Sequence, residues 1–227
     1  MEFFSDPLNI VIAFATIYFG GVIHELGHGY AALYFGDDTA KLMGRLTINP
    51  IAHFDFIKTL VMPVVLLLTV GIPFGGMKPV PVNPHNFDNY YDWKAYRKAD
   101  IAVSLAGPAF QIAFSIIFLI VFLLLTPIIK PLSYAFNLFF IGFMANVLIA
   151  FFNLIPIPPL DGSHVFKYFL STKNRTMYES IGQQFGFFFL IAFVVLGGTV
   201  ILNPIYNGLL HVFLWAYQHL SLAVLIN

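Results

Sequence analysis

The sequence predicts an all-α polytopic membrane protein of about five to six transmembrane helices, with a re-entrant or short hairpin segment near 59–74. Three observations carry that expectation. Of 227 residues, 59% are hydrophobic and 10% charged, and mean hydropathy is +0.83, a bilayer composition. The apolar residues fall in runs long enough to cross a hydrocarbon core of ~30 Å at ~1.5 Å per residue. The charges collect between those runs.

The first run, 8–35, follows an N-terminus, Met1-Glu2-Phe3-Phe4-Ser5-Asp6, that lacks the basic stretch of a cleavable signal, so it is expected to stay as a helix. Runs at about 101–127, 133–155, 184–202 and 205–226 are also long enough to span. The stretch 59–74 has 16 residues and contains Pro63, Gly71 and Pro73, which suits a segment that enters and leaves on one side. That reading also sorts the charges. Lys41, Arg45, Lys58, Lys78, Lys94, Arg97, Lys98, Lys167, Lys173 and Arg175, ten of the eleven basic residues, then share one face and Lys130 lies alone on the other. The positive-inside rule makes the crowded face cytoplasmic. Runs 8–35 and 133–155 then point the same way. A single membrane domain is expected over 1–227, with a core at about 8–165 and accessory helices at about 184–226, without internal repeat or soluble module.

Net charge is zero and no basic tract is present, so nothing suggests a nucleic-acid partner. The chain has no Cys, which excludes disulfides and thiolate ligands and leaves His and carboxylate to hold any metal.

His24-Glu25-Leu26-Gly27-His28 is the one cluster of ionisable residues inside run 8–35. Imidazoles four residues apart share a helix face and can point at one metal ion while Glu25 stands beside it. The bland alternative is a pair of hydrogen-bonded core histidines with a structural acid. An acid at membrane depth costs ~2.5–3.5 kcal/mol, which weighs toward function. A zinc site usually takes a third protein ligand. The candidate is Asp161, in Asn153-Leu154-Ile155-Pro156-Ile157-Pro158-Pro159-Leu160-Asp161-Gly162. The prolines there must open the helix, and opened backbone at membrane depth lines protein or a watery cavity. A solvated turn at the membrane interface is the alternative reading of Asp161-Gly162.

Together the two stretches resemble the site-2-protease family of intramembrane zinc metalloproteases, in a compact bacterial form without PDZ or CBS modules. Gly44-Arg45-Leu46-Thr47-Ile48-Asn49-Pro50-Ile51-Ala52-His53-Phe54-Asp55, Lys78-Pro79-Val80-Pro81-Val82-Asn83-Pro84 and Ala106-Gly107-Pro108 extend the likeness over most of 20–165. The resemblance implies one Zn²⁺ per chain held by His24, His28 and Asp161, with Glu25 as general base and Asn153 as the oxyanion donor. Transmembrane protein substrates in a lipid bilayer are implied as partners, and the bacterial inner membrane as location, with the site toward the cytoplasm. Asn153 could instead satisfy carbonyls freed by Pro156 or Pro158. Two departures stand out: Gln111 where Asn commonly follows the Ala-Gly-Pro stretch, and Phe56-Ile57-Lys58 where Pro-x-Gly commonly follows Asp55. Neither is expected to touch a metal ligand. His53, His85, His164, His211 and His219 are left out of the metal shell. The stretch Gly71 to Pro84 is a candidate edge for an unwound substrate, or a plain surface loop. The rival functions are a transporter or metal-handling protein, and a relative that binds membrane helices without cutting them.

Overall fold

The computed structural model describes residues 6–70, 75–130, 133–196 and 198–220. The expectations that fall on 1–5, 71–74 and 221–226 lie outside them. Among the described residues the chain is helical, with no strand.

Asp6 starts the first helix, α1 (Pro7–Tyr34), by accepting the Leu8 N–H at 2.9 Å, and Pro7 occupies the first turn where a missing amide costs nothing. A short α2 (Thr39–Leu42) and a 3₁₀ turn at Pro50–His53 follow. Asp55 then caps a π-helical turn at Phe56–Val61 through the Ile57 and Lys58 amides, so the Phe56-Ile57-Lys58 departure is where a new helix begins. That turn leads into α3 (Met62–Val70). The apolar helical stretch Phe56–Thr69 rises about 21 Å, short of the ~30 Å core. The chain then returns to its own start: Gly76 donates its N–H to the Lys58 carbonyl, and the Thr59 hydroxyl donates to the Gly76 carbonyl, both at 2.9 Å. The described residues on either side of 71–74 thus leave from and return to one place, as expected of a segment that enters and leaves on one side.

After this segment, α4 (Trp93–Leu125), capped by Asp92, runs 33 residues, and α5 (Tyr134–Asn153), capped by Ser133, runs 20. Then come α6 (Asp161–Phe166), α7 (Thr172–Leu196) and α8 (Gly198–Leu220). Among the described residues α1, α4, α5 and α7 are long and apolar enough to cross a membrane. The last helix has the length, 23 residues, and carries Asn203, Asn207, His211 and Gln218 along it. One boundary differs from expectation. α7 ends at Leu196 and α8 begins at Gly198, and Pro204 is carried inside α8.

Packing between α1, α4 and α5 positions the site. His28 meets Val103 and His24 meets Gln111, so α4 runs antiparallel to α1. Asp6 meets Tyr134, Asn9 meets Asn137 and Thr16 meets Asn146, so α5 runs parallel to it, as the charge sorting requires. The ends of α1 and α5 and the starts of α4 and α7 therefore lie on one side, and the α4–α5 turn with Lys130 on the other. The far half is closed by Phe122, Phe143, Met144, Val147 and Phe213, where α8 packs on α4 and α5. Outward faces carry large apolar side chains such as Phe185, Phe188, Val200 and Trp215, as a lipid-facing surface requires.

Candidate metal centre

His24 and His28 lie ten and six residues before the end of α1, about 9–15 Å along the helix at 1.5 Å per residue. Their Nε2 atoms face each other at 3.0 Å. Asp161, the first residue of α6, brings Oδ2 to 3.1 Å from His24 Nε2 and Oδ1 to 3.4 Å from His28 Nε2. Among the described residues these three form the one group of His, Cys, Asp or Glu side chains close enough to share a metal ion.

The chain of Asp161 reaches the site because α5 ends at Asn153 and the Pro156–Pro159 stretch turns back. Gly162 makes that return possible, since a Cβ there would run into the Leu154 carbonyl. Gly107 does the same from α4: a Cβ there would strike the His28 and His24 rings. The outer ring nitrogens are also held. His28 Nδ1 lies 2.7 Å from the Val103 carbonyl, and His24 Nδ1 lies 3.1 Å from Gln111 Oε1. Both acceptors demand that Nδ1 carry the proton, which turns each Nε2 lone pair toward the other ring and the carboxylate.

Such an arrangement fits a cation. Two lone pairs and a carboxylate converge, and Asp161 Oδ2 is buried with no hydrogen-bond donor. An orphaned buried anion is costly unless something positive pairs with it. Two His and one carboxylate are a donor set of the kind found in catalytic zinc sites.

Glu25 points to the opposite wall. Its Oε2 accepts the Val80 N–H at 2.7 Å. Val80 belongs to an extended segment tied down on either side: the Lys78 N–H donates to the His53 carbonyl at 2.9 Å, and Arg45 Nη2 donates to the Lys78 and Pro79 carbonyls. Residues 78 and 80 thus spend their amides inward, while Pro79 and Pro81 have none to offer. As a candidate edge, this segment presents acceptors and few donors. Asn153, half-buried at the last turn of α5, makes no side-chain hydrogen bond among the described residues, so it does not satisfy carbonyls freed by the prolines.

The other histidines stand apart. His53 is fully buried, with Nε2 on the Thr47 carbonyl at 2.9 Å. The His164 pKa is lowered by burial first and by Lys167 second. His85 lies against Tyr90 with the rings tilted, and His219 bonds within its own helix.

The expectation that Gln111 touches no metal ligand is corrected: it is 1% exposed and contacts His24 directly. Sequence reading also missed the Val80 amide and the Val103 carbonyl. For Gln111 a signal existed, because it replaces one side-chain amide by another. The two backbone partners leave no trace in residue identity.

Comparison with known proteins bears on this centre. The model of peptidase family M50 matches residues 128–196, a stretch that contains Asn153 and Asp161 and ends with α7. YwhC of Bacillus subtilis, provisionally named a zinc metalloprotease, is 34% identical over 214 residues, covering 91% of this chain and 91% of YwhC. Rip2 of Mycolicibacterium smegmatis, named in the same provisional way, is 29% identical over 193 residues, covering 83% of this chain and 70% of Rip2. Rip2 of Mycobacterium tuberculosis is 26% identical over 207 residues, covering 89% and 73%. No solved structure matches the chain.

Proposed function

Because this chain belongs to peptidase family M50, we propose that it is an intramembrane zinc metalloprotease that hydrolyses peptide bonds within or near the transmembrane segments of other membrane proteins. The observation that carries the reading is the meeting of His24, His28 and Asp161 inside the helix bundle, with Asp161 Oδ2 left without a donor. His24 Nε2, His28 Nε2 and the Asp161 carboxylate would hold one zinc ion. Bound there, zinc supplies Lewis acidity, which polarises a carbonyl and acidifies water toward neutral pH.

The rest is done by the chain. Glu25 takes the proton of the attacking water at Oε1, since Oε2 is committed to the Val80 amide, and passes it to the leaving amine. Asn153, with its amide unspent, donates to the developing oxyanion, a role worth about 2.7–4 kcal/mol in other hydrolases. A substrate helix protects its peptide bonds with its own hydrogen bonds, so segments weakened by Gly or Pro near the cut are the preferred substrates. With ten of eleven basic residues at the helix ends nearest the centre, the site faces the cytoplasm of a bacterial inner membrane. The transporter alternative gains no support from internal symmetry, because the chain shows no repeat.

The test uses protein purified in detergent. Wild type and Glu25→Gln should each carry about one zinc, since the substitution spares the ligands. Only wild type should cleave a panel of single-span proteins. Equal cleavage by the two overturns the mechanism, and a zinc-free wild type overturns the metal reading.

A further inference from the structure

The buried polar side chains of α1, α4 and α5 form a chain with one direction. Asn146, fully buried on α5, places Nδ2 3.2 Å from the Thr16 carbonyl and 2.9 Å from the Gly142 carbonyl. Carbonyls only accept, so both hydrogens of that amide are spent and Asn146 Oδ1 must face the other way. It accepts from Gln111 Nε2 at 3.2 Å. That fixes the second amide too: Gln111 Oε1 is turned toward His24 Nδ1, 3.1 Å away. An oxygen there requires a proton on Nδ1, and the His24 Nε2 lone pair is left for the cluster with Asp161.

The geometry points to Gln111 and Asn146 as positioning residues whose one-way hydrogen-bond relay, rooted in the Thr16 and Gly142 carbonyls, sets the tautomer and ring orientation of His24 for zinc. This inference rests on the proposed zinc site and deepens it. His28 needs no such relay, because a backbone carbonyl, that of Val103, already does the same for its ring. The two histidines thus reach one state by different means. The His24 anchor is built from side chains and is open to mutation. Partners of this kind typically change metal affinity by about tenfold to a hundredfold when removed.

A purely structural role is the competing account, since amides that bridge helices also glue them together. Two substitutions separate the accounts. Gln111→Met removes both the acceptor for His24 and the donor to Asn146. Gln111→Glu keeps the acceptor and removes the donor. Both variants lose the helix bridge, so thermal stability in detergent falls in each.

Zinc affinity, read by chelator competition, should part them: about tenfold to a hundredfold weaker in Gln111→Met, and within about threefold of wild type in Gln111→Glu. The visible spectrum of the Co²⁺-loaded protein should change in the Met variant and stay near wild type in the Glu variant. Asn146→Ala gives an independent probe if Gln111→Met does not accumulate. It leaves Gln111 in place but free to turn over, and should weaken zinc about threefold to tenfold. Equal losses in Gln111→Met and Gln111→Glu, or unchanged affinity in Gln111→Met or Asn146→Ala, overturn the relay while leaving the zinc site standing. A wild-type chain that binds no zinc overturns the underlying reading instead.

Discussion

His24 and His28 ride on one unbroken 28-residue helix, whereas Asp161 arrives on a six-residue helix after a loop with three prolines. The histidine half is held from inside the bundle, by Gln111, Val103 and the close approach of Gly107. The carboxylate half is held from outside it. Lys167, just past α6, bridges Asp100 of α4 at 2.8 Å and Glu179 of α7 at 3.7 Å, and the Tyr168 hydroxyl donates to Asp100 at 2.7 Å. Arg97 lies 5.4 Å over the Tyr168 ring, and Arg175 lies 4.6 Å over Trp93. One half of the centre is set by helix periodicity and buried packing, the other by an ionic and aromatic clasp near the helix ends. Perturbations of the two halves should therefore look different.

The largest effect should come from removing the ligand that the proline loop and α6 deliver. Asp161→Ala leaves two imidazoles with no anion, so zinc and cleavage should fall to background together in metal analysis and a cleavage assay. Retained zinc there would place the third ligand elsewhere.

A pair of glycine substitutions sharpens the contrast. In Gly162→Ala the new methyl meets the Leu154 and Ile155 backbone, which cannot yield, so α6 must shift and Asp161 with it. Overpacking of this kind costs about 1–3 kcal/mol, and a rigid partner puts the value toward the upper end. In Gly107→Ala the methyl meets the two imidazoles, which can turn aside. Its thermal shift should be smaller and its zinc loss just as deep. Zinc content and unfolding temperature, measured together, separate a displaced scaffold from displaced ligands.

Those contrasts explain what the sequence could reveal. The long helices were legible because a bilayer demands apolar length, and the His24–His28 pair because a helix repeats every 3.6 residues. Asp161 follows His28 by more than a hundred residues, and only the likeness to a known family joined the two. Gln111 was read as a mismatch in packing, since nothing local says that it faces His24 87 positions away. Val80 contributes an amide that every residue but proline owns. The boundary expected between 202 and 205 lies earlier, α7 ending at Leu196 and α8 starting at Gly198, because Pro204 is carried inside α8, as membrane helices tolerate where neighbouring groups re-satisfy the freed carbonyl.

The clasp can be weakened without touching the centre. Tyr168→Phe removes a hydrogen bond to a charged acceptor, a class worth about 1.5–3 kcal/mol. Asp100 keeps its Lys167 partner, so about 1.5 kcal/mol is expected from thermal unfolding, with zinc content unchanged. A zinc loss as deep as in Gly107→Ala would mean that the clasp tunes the Asp161 position directly.

The smallest effect should lie at the far end of the α1–α5 interface, where Asn137 Nδ2 donates to Asn9 Oδ1 at 2.9 Å. This pair resembles the Gln111–Asn146 contact in chemistry, is less deeply buried and has no metal ligand at its end. Interhelical hydrogen bonds in membranes average about 0.6 kcal/mol, because polar groups find other partners when the helices separate. Asn137→Leu should cost about that much in thermal unfolding and leave zinc affinity at the wild-type value. The same kind of bond is then nearly silent between α1 and α5 and decisive for metal between α4 and α5. If Asn137→Leu weakened zinc as much as Gln111→Met, the sensitivity would belong to helix packing in general, and the histidine half would lose its claim to a separate anchor.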